Sequence, residues 1–222
     1  MIIRNEHNGG LEDFLKRFRE ISETNVYIGV PASKNGMHKG GINMATLVAV
    51  HELGATIKHG GGTRYQKNAN GKLARFVRND FVGPTSGVTS GHTIKIPERS
   101  FIRSTMNENK KKYADLMEKG IKSALAGAAS VKSVYEKIGI TIVNDVKTTM
   151  VNGSFTPLKA STIKAKGSSK PLLDTEEMRS SITYQVKYVI YNFPINQTNP
   201  LLYSGFFIFT FIYSTHTYYY IT

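Results

Sequence analysis

The sequence predicts an α+β fold: a small, mostly antiparallel sheet packed by two long helices, with an exposed β-hairpin excursion. Three observations predict it. Residues 105–126 and 131–152 keep a helical period of apolar side chains, on Tyr113, Leu116, Met117, Ile121, Ala124 and Leu125, then on Val131, Val134, Tyr135, Ile138, Ile142, Val146 and Met150. Short runs of β-branched and aromatic residues lie between clusters of Gly, Pro, Ser and Asn and read as strands. The change from period 2 to period 3.6 does not recur as regular βαβ units, which disfavours a parallel sheet.

Leu11, Phe14, Leu15, Phe18 and Ile21 place an amphipathic helix over 10–23. Residues 25–30, NVYIGV, are a short strand ended by Pro31, and 31–41 is a loop rich in Ser, Lys, Asn and Gly. Residues 42–53 read as a helix with Ile42, Ala45, Ala49 and Leu53 on one apolar face, Leu47 and Val50 beside it and Gly54 as its αL stop. Residues 55–58 are a strand. Within 64–97, residues 73–77 and 92–96 are strand candidates in a long hairpin. Gly127 permits a break between the two long helices. Residues 161–166, STIKAK, suit a short helix capped by Ser161. Asp174 caps a turn ahead of Met178, and 181–189 alternates as a strand.

From Tyr188 onward the sequence holds no Asp, Glu, Lys or Arg, yet it carries seven of the 12 Tyr and five of the 11 Phe. That shift divides residues 1–187, an α+β domain with a hairpin insertion at about 64–92, from an uncharged aromatic-rich tail at 188–222. Three readings of the tail stay open: a strand pair that finishes the sheet, a terminus that docks on a neighbour, and a divergent ending with little selected role. Its most apolar stretch, residues 201–213, falls short of the roughly 18 residues a spanning helix needs, so no membrane contact is expected. The amino terminus lacks the apolar core of a signal peptide.

Lys and Arg number 29 against 16 Asp and Glu, a formal +13. Such an excess points to a polyanionic neighbour, nucleic acid or an acidic protein surface, or to a protein that is merely basic. Arg64, Lys67, Lys72, Arg75 and Arg78 are interleaved with Tyr65, Phe76 and Phe81, a mixture that suits a nucleic-acid backbone with stacked bases and equally a solvated hairpin. The Lys110-Lys111-Lys112 run fans around a helix and reads as solvated. With no Cys there is no thiol nucleophile or thiolate metal site. His51-Glu52 opens like a zincin motif, but the residue three after the Glu is Ala55 rather than His. Glu52 instead suits a basic neighbour, and His51 suits the carbonyls at a helix end. Gly60-Gly61-Gly62 lacks the Gly-Lys-Ser/Thr of a phosphate loop. Asp174, Glu176 and Glu177 fit a helix N-terminal cap better than a divalent-cation site. No cofactor is expected.

Three islands carry a resemblance. His51-Glu52-Leu53-Gly54 comes first. Ile96-Pro97-Glu98-Arg99-Ser100-Phe101-Ile102-Arg103 follows. The third comprises Pro157-Leu158 with Thr162 and Lys166, then Pro171-Leu172-Leu173-Asp174-Thr175 and Met178-Arg179-Ser180-Ser181-Ile182. Their order and spacing resemble the tail-completion, or virion-morphogenesis, proteins of long-tailed bacteriophages over about residues 25–187. The sequence departs from that family at Glu98, where Ala is commoner, at Ser100, where Pro is commoner, and at Glu176, where Gly usually follows Asp-Thr.

The resemblance implies a structural virion protein that completes the head-proximal end of the tail, or the neck, for head–tail joining, without catalysis. It implies assembly in the host cytoplasm, a homo-oligomeric ring, and other phage neck and tail proteins as partners, and it leaves open contact with DNA passing through the lumen. The alternative is a basic nucleic-acid-binding protein. The candidate interaction residues are Arg99, Arg103, Arg64, Lys72, Arg75, Arg78 and Asp174. Arg99 and Arg103 are spaced one helical turn apart, so both reach one acidic partner surface, while Phe101 and Ile102 anchor the segment in the core. The loop at 31–41, the hairpin at 64–92 and the tail are the expected contact segments.

Overall fold

The α+β expectation holds in the structure, a computed structural model that describes residues 8–38, 41–67, 73–78, 80–81, 87–172 and 176–188. Helix α1 (Asn8–Glu23) leads directly into strand β1 (Thr24–Gly29). A single 3-10 turn (Ala32–Lys34) precedes α2 (Met44–Leu53). Five strands follow: β2 (Ala55–His59), β3 (Arg64–Lys67), β4 (Leu73–Phe76), β5 (Gly87–Val88) and β6 (His92–Ile96). Helices α3 (Phe101–Glu108), α4 (Lys110–Leu125), α5 (Val131–Asn152), α6 (Ala160–Lys166) and α7 (Glu177–Ser181) lead to β7 (Thr183–Tyr188).

The strands form three antiparallel sheets: β1 with β7, β2 with β6, and β4-β3-β5. The first belongs to the body. Helix α5 packs across both of its strands, as well as on α3 and α4. Its buried face runs Val131, Val134, Tyr135, Ile138, Gly139, Ile142, Val143, Val146 and Met150, the 3–4 spacing of an amphipathic helix. Gly139 lets β7 come close: a Cβ built there would lie 2.5 Å from the Tyr184 ring. Each large aliphatic side chain buried in this layer contributes about 1.5–3 kcal/mol. Asp145 braces α4 against α5, accepting from Tyr113 Oη at 2.8 Å and from Lys112 Nζ at 2.7 Å. Burial and that bond push the Tyr113 phenol up. Lys112 is therefore an ion-pair partner within the body rather than a freely solvated lysine.

The other two sheets form an arm. Strands β2 and β6 run out from the ends of α2 and α3 as a ribbon, and β3, β4 and β5 follow within the same excursion. No residue between Glu52 and Arg99 whose side chain is described is buried. The expected hairpin at 64–92 is thus the outer part of a longer excursion, residues 55–96.

Several local expectations are corrected. The first long helix is two, because Asn109 leaves helical geometry (φ −103°, ψ 12°) and separates α3 from α4. Helix α2 starts at Met44, capped by the Asn43 side chain, which accepts from Thr46 N at 2.8 Å. It buries Met44, Ala45, Val48 and Glu52 rather than the Ile42, Ala45, Ala49 and Leu53 face. Gly54 has φ 72° and ψ 169°, an extended conformation open to glycine and not an αL stop. Lys159, not Ser161, holds the cap position of α6, and it makes no side-chain cap bond. The tail beyond Tyr188 lies outside the described residues.

Candidate functional site

The first two islands meet at the root of the arm around one carboxylate. Glu52, on α2, is 2 % exposed. Its Oε2 accepts from Ile102 N at 2.9 Å, and its Oε1 accepts from Arg103 N at 2.9 Å and Ser100 Oγ at 2.8 Å. It therefore caps the N-terminus of α3 from another helix, satisfying amides that the helix itself leaves unpaired. Ser100 at the cap position supplies no side-chain bond to the α3 backbone amides. The guanidinium of Arg103 closes the junction, donating from Nε to Glu52 Oε1 at 3.2 Å, and from NH2 to Glu52 O at 2.9 Å and Glu98 Oε1 at 2.6 Å. Arg99 N donates to His51 O at 2.8 Å, joining the strand exit to the end of α2. Gly54 is required here twice: its φ is positive, and a Cβ would lie 2.9 Å from Glu98 N.

The third island packs beneath this junction. Leu172, Met178 and Ile182 share one core with Met44, Val48, Phe101 and Ile102, so the expected anchoring role of Phe101 and Ile102 is met. His51 is held between the islands. Its Nδ1 is buried without a hydrogen-bond partner, and burial, with Arg99 and Lys166 adding positive field, lowers its pKa to about 4. The ring is neutral at physiological pH. Among the described residues no group of three His, Asp or Glu side chains is placed to hold a metal ion, and no helix is long and apolar enough to cross a membrane.

The placement of the candidate residues changes what they do. Arg99 precedes α3 instead of lying a helical turn from Arg103 within it, and it is 5 % exposed, with Nε donating to Thr156 O at 3.2 Å. Arg103 spends its charge on Glu52 and Glu98 of its own chain. The pair does not form one outward-facing cationic patch. The spacing argument failed because it assumed a helix at 99 and overlooked an acid on α2. Glu52 is the residue that sequence reasoning valued too little. Its place at 52, in line with the apolar positions 44, 45 and 48, is the signal that marks it as facing inward.

Arg64, Arg75 and Arg78 lie on the arm. Arg75 Nε donates to Gln66 Oε1 at 2.9 Å, and its guanidinium stands 5.6 Å from the Phe81 ring centre. Arg78 pairs in the open with Asp80 at 3.1 Å. His59, Gly61, Gly62, Thr63, Val77, Arg78 and Asp80 line an open cleft of about 760 Å³. Lys72 and Asp174 lie outside the described residues. Residues 55–96 carry seven Lys or Arg and one acid, Asp80, so +6 of the chain's +13 sits on the arm. Ile57, Phe76, Val88 and Ile94 are exposed on the same arm.

Two smaller features were only partly legible. Glu176 has φ 59° and ψ −1°, and it is the sole non-glycine with positive φ among the described residues. That conformation costs an L-residue about 1–2 kcal/mol and is one that glycine adopts freely. The described part of the loop at 31–41 is held against α7: Lys34 Nζ donates to Ser180 O at 3.2 Å, and His38 Nδ1 lies 2.7 Å from Glu177 Oε2.

No family model, curated protein or solved structure matches the chain.

Proposed function

We propose that the chain is a structural virion protein of a long-tailed phage, completing the head-proximal end of the tail, or the neck, for head–tail joining. The observation that carries this reading is the arm. Its strands bury no described side chain, it projects a net charge of +6, and it exposes four large apolar residues. A sheet of that kind gains stability only when a neighbour covers it, and its charge selects an acidic one. The resemblance of the three islands supports a tail-completion protein, and two of those islands lie at the arm's root. In this reading the body is the base, the arm is the contact, and copies form a ring among other neck and tail proteins. No catalysis or cofactor is assigned. Disruption of the gene, with electron microscopy of the lysate, tests it. Separate filled heads and tails are expected, and intact phage in normal numbers would overturn the reading.

The second reading, a nucleic-acid-binding protein, rests on the same +6 and on the stacking of Arg75 over Phe81. It requires that purified protein bind a DNA duplex or single strand with affinity falling steeply in salt. The K58A, R78A and K95A variants would each lower the salt slope by about 1. Absence of binding at low salt leaves the assembly reading alone.

A further inference from the structure

Helix α1 carries an apolar stripe that its own chain leaves open among the described residues. Leu11, Phe14, Leu15 and Phe18 are 63 %, 42 %, 54 % and 57 % exposed. They fall at helical spacing on one face. The helix touches the body along the edge that borders this stripe: Arg17 NH1 donates to Leu125 O at 3.2 Å, and Ile21 packs against the core. A contiguous apolar patch of this kind marks an interaction surface.

The stripe matches itself. Reversed about the midpoint between Phe14 and Leu15, position 11 falls on 18 and position 14 on 15, so large apolar residues face large apolar residues. The charges obey the same symmetry. At 100° per residue, Glu12 and Arg19 flank the same side of the stripe. In an antiparallel pair centred on that midpoint, Glu12 stands opposite position 17, and the partner's Arg19 is two residues further on, about 3 Å along the axis. The contact forms twice by symmetry, as an isologous interface demands. A parallel pair would instead carry the two Glu12–Arg19 flanks to opposite edges of the seam, where neither Glu12–Arg19 contact between chains forms.

We propose that two copies of the chain associate through antiparallel α1 helices, with Leu11, Phe14, Leu15 and Phe18 as the shared core and Glu12–Arg19 pairs along its flank. The contact is two-fold. It joins two chains without closing a ring and does not depend on what the arm binds.

The full chain has no Cys, so single cysteines report the geometry cleanly. Under mild oxidation with oxidised glutathione, the L15C variant, next to the two-fold axis, forms a covalent dimer. The F18C variant does not, because its two sulfurs are offset by seven residues, about 10 Å. Sedimentation equilibrium finds a wild-type dimer, and the L15E variant raises its Kd by about 30-fold or more. Its circular dichroism stays unchanged, because Leu15 is already half exposed, and its Tm matches the wild type at concentrations below the wild-type Kd, where both are monomers. Reversing Glu12 to Arg or Arg19 to Glu weakens the dimer, and combining the two restores it. The proposal is overturned if the wild type stays monomeric across the concentration series, or if both cysteine variants cross-link, the mark of a parallel or unspecific pair. It is also overturned if the residue-15 cysteine in a monomer resists alkylation, which would mean that residues 189–222 cover the stripe in cis.

Discussion

Two antiparallel ladders of nearly equal length meet opposite fates in this molecule. The β1–β7 ladder pairs Val26 with Val186 and Ile28 with Tyr184, and β1 is buried along almost its whole length. The β2–β6 ladder pairs Ile57 with Ile94, yet these side chains remain 45 % and 40 % exposed. Both have the β-branched content and alternation of half-buried strands. They differ in what lies above them. Helix α5 crosses β1 and β7 closely enough to need Gly139, whereas the arm has no helix packed on it to comparable extent. Strand formation is set locally, and burial is set by a partner element. Where the chain does not provide one, the exposed ladder is a surface for another molecule.

The junction between body and arm is where the comparison breaks most sharply. The E52A substitution removes the carboxylate that satisfies two α3 amides and pairs with Arg103 in a buried setting. Loss of one partner from a buried ion pair costs about 3–5 kcal/mol. Chemical denaturation of the variant should show a loss of that size, and a change below about 1 kcal/mol would mean that solvent reaches the site and replaces the carboxylate.

His51 makes the same junction sensitive to acid. Its pKa falls from an ordinary 6.5 to about 4 on folding, so between those values the unfolded chain binds the extra proton. Stability therefore falls as pH drops from about 6.5 towards 4, by at most about 3 kcal/mol, and is unaffected by this group above that window. The H51Q variant should show a flatter profile than the wild type in urea titrations between pH 7 and pH 4.5. Parallel profiles would remove His51 as the cause.

The body ladder depends on a close approach that the arm ladder lacks. A Cβ at position 139 would lie 2.6 Å from Tyr184 Cγ, an atom near the backbone that cannot swing aside. The G139A substitution should cost about 1–3 kcal/mol through overpacking, even though alanine is the better helix former. A gain in Tm would show that β7 shifts freely away from α5.

How much of this was legible follows from the same contrast. Helix α5 was readable to the residue, because a 22-residue amphipathic period has few alternatives. Strand β6 was readable because alternation and flanking Gly and Pro bound it. The exposure of Leu11, Phe14, Leu15 and Phe18 was not readable, since an amphipathic stripe looks the same whether it is covered by its own chain or left open. The inward turn of Arg99 and Arg103 was hidden too. It depends for Arg103 on Glu52 and for Arg99 on the carbonyl of Thr156, tertiary contacts that no local pattern encodes. The departure at Glu176 was legible as a residue but not as a backbone conformation.

The smallest stability effect expected is also the most informative for function. Ile57 and Ile94 face each other across the arm ladder with nearly half their surface in solvent. Replacing both by Thr keeps β-branching and strand propensity while removing apolar surface. The body has no contact to lose, so the double variant should unfold within about 0.5 kcal/mol of the wild type. If the arm is a docking surface, the same variant should fail to complete virions, or should do so at much reduced titre, while remaining folded and abundant in the lysate. Normal stability with normal titre would show that these apolar positions are not where a neighbour sits. A loss of several kcal/mol would show that the ladder is covered within its own chain, and the contrast between the two ladders would then vanish.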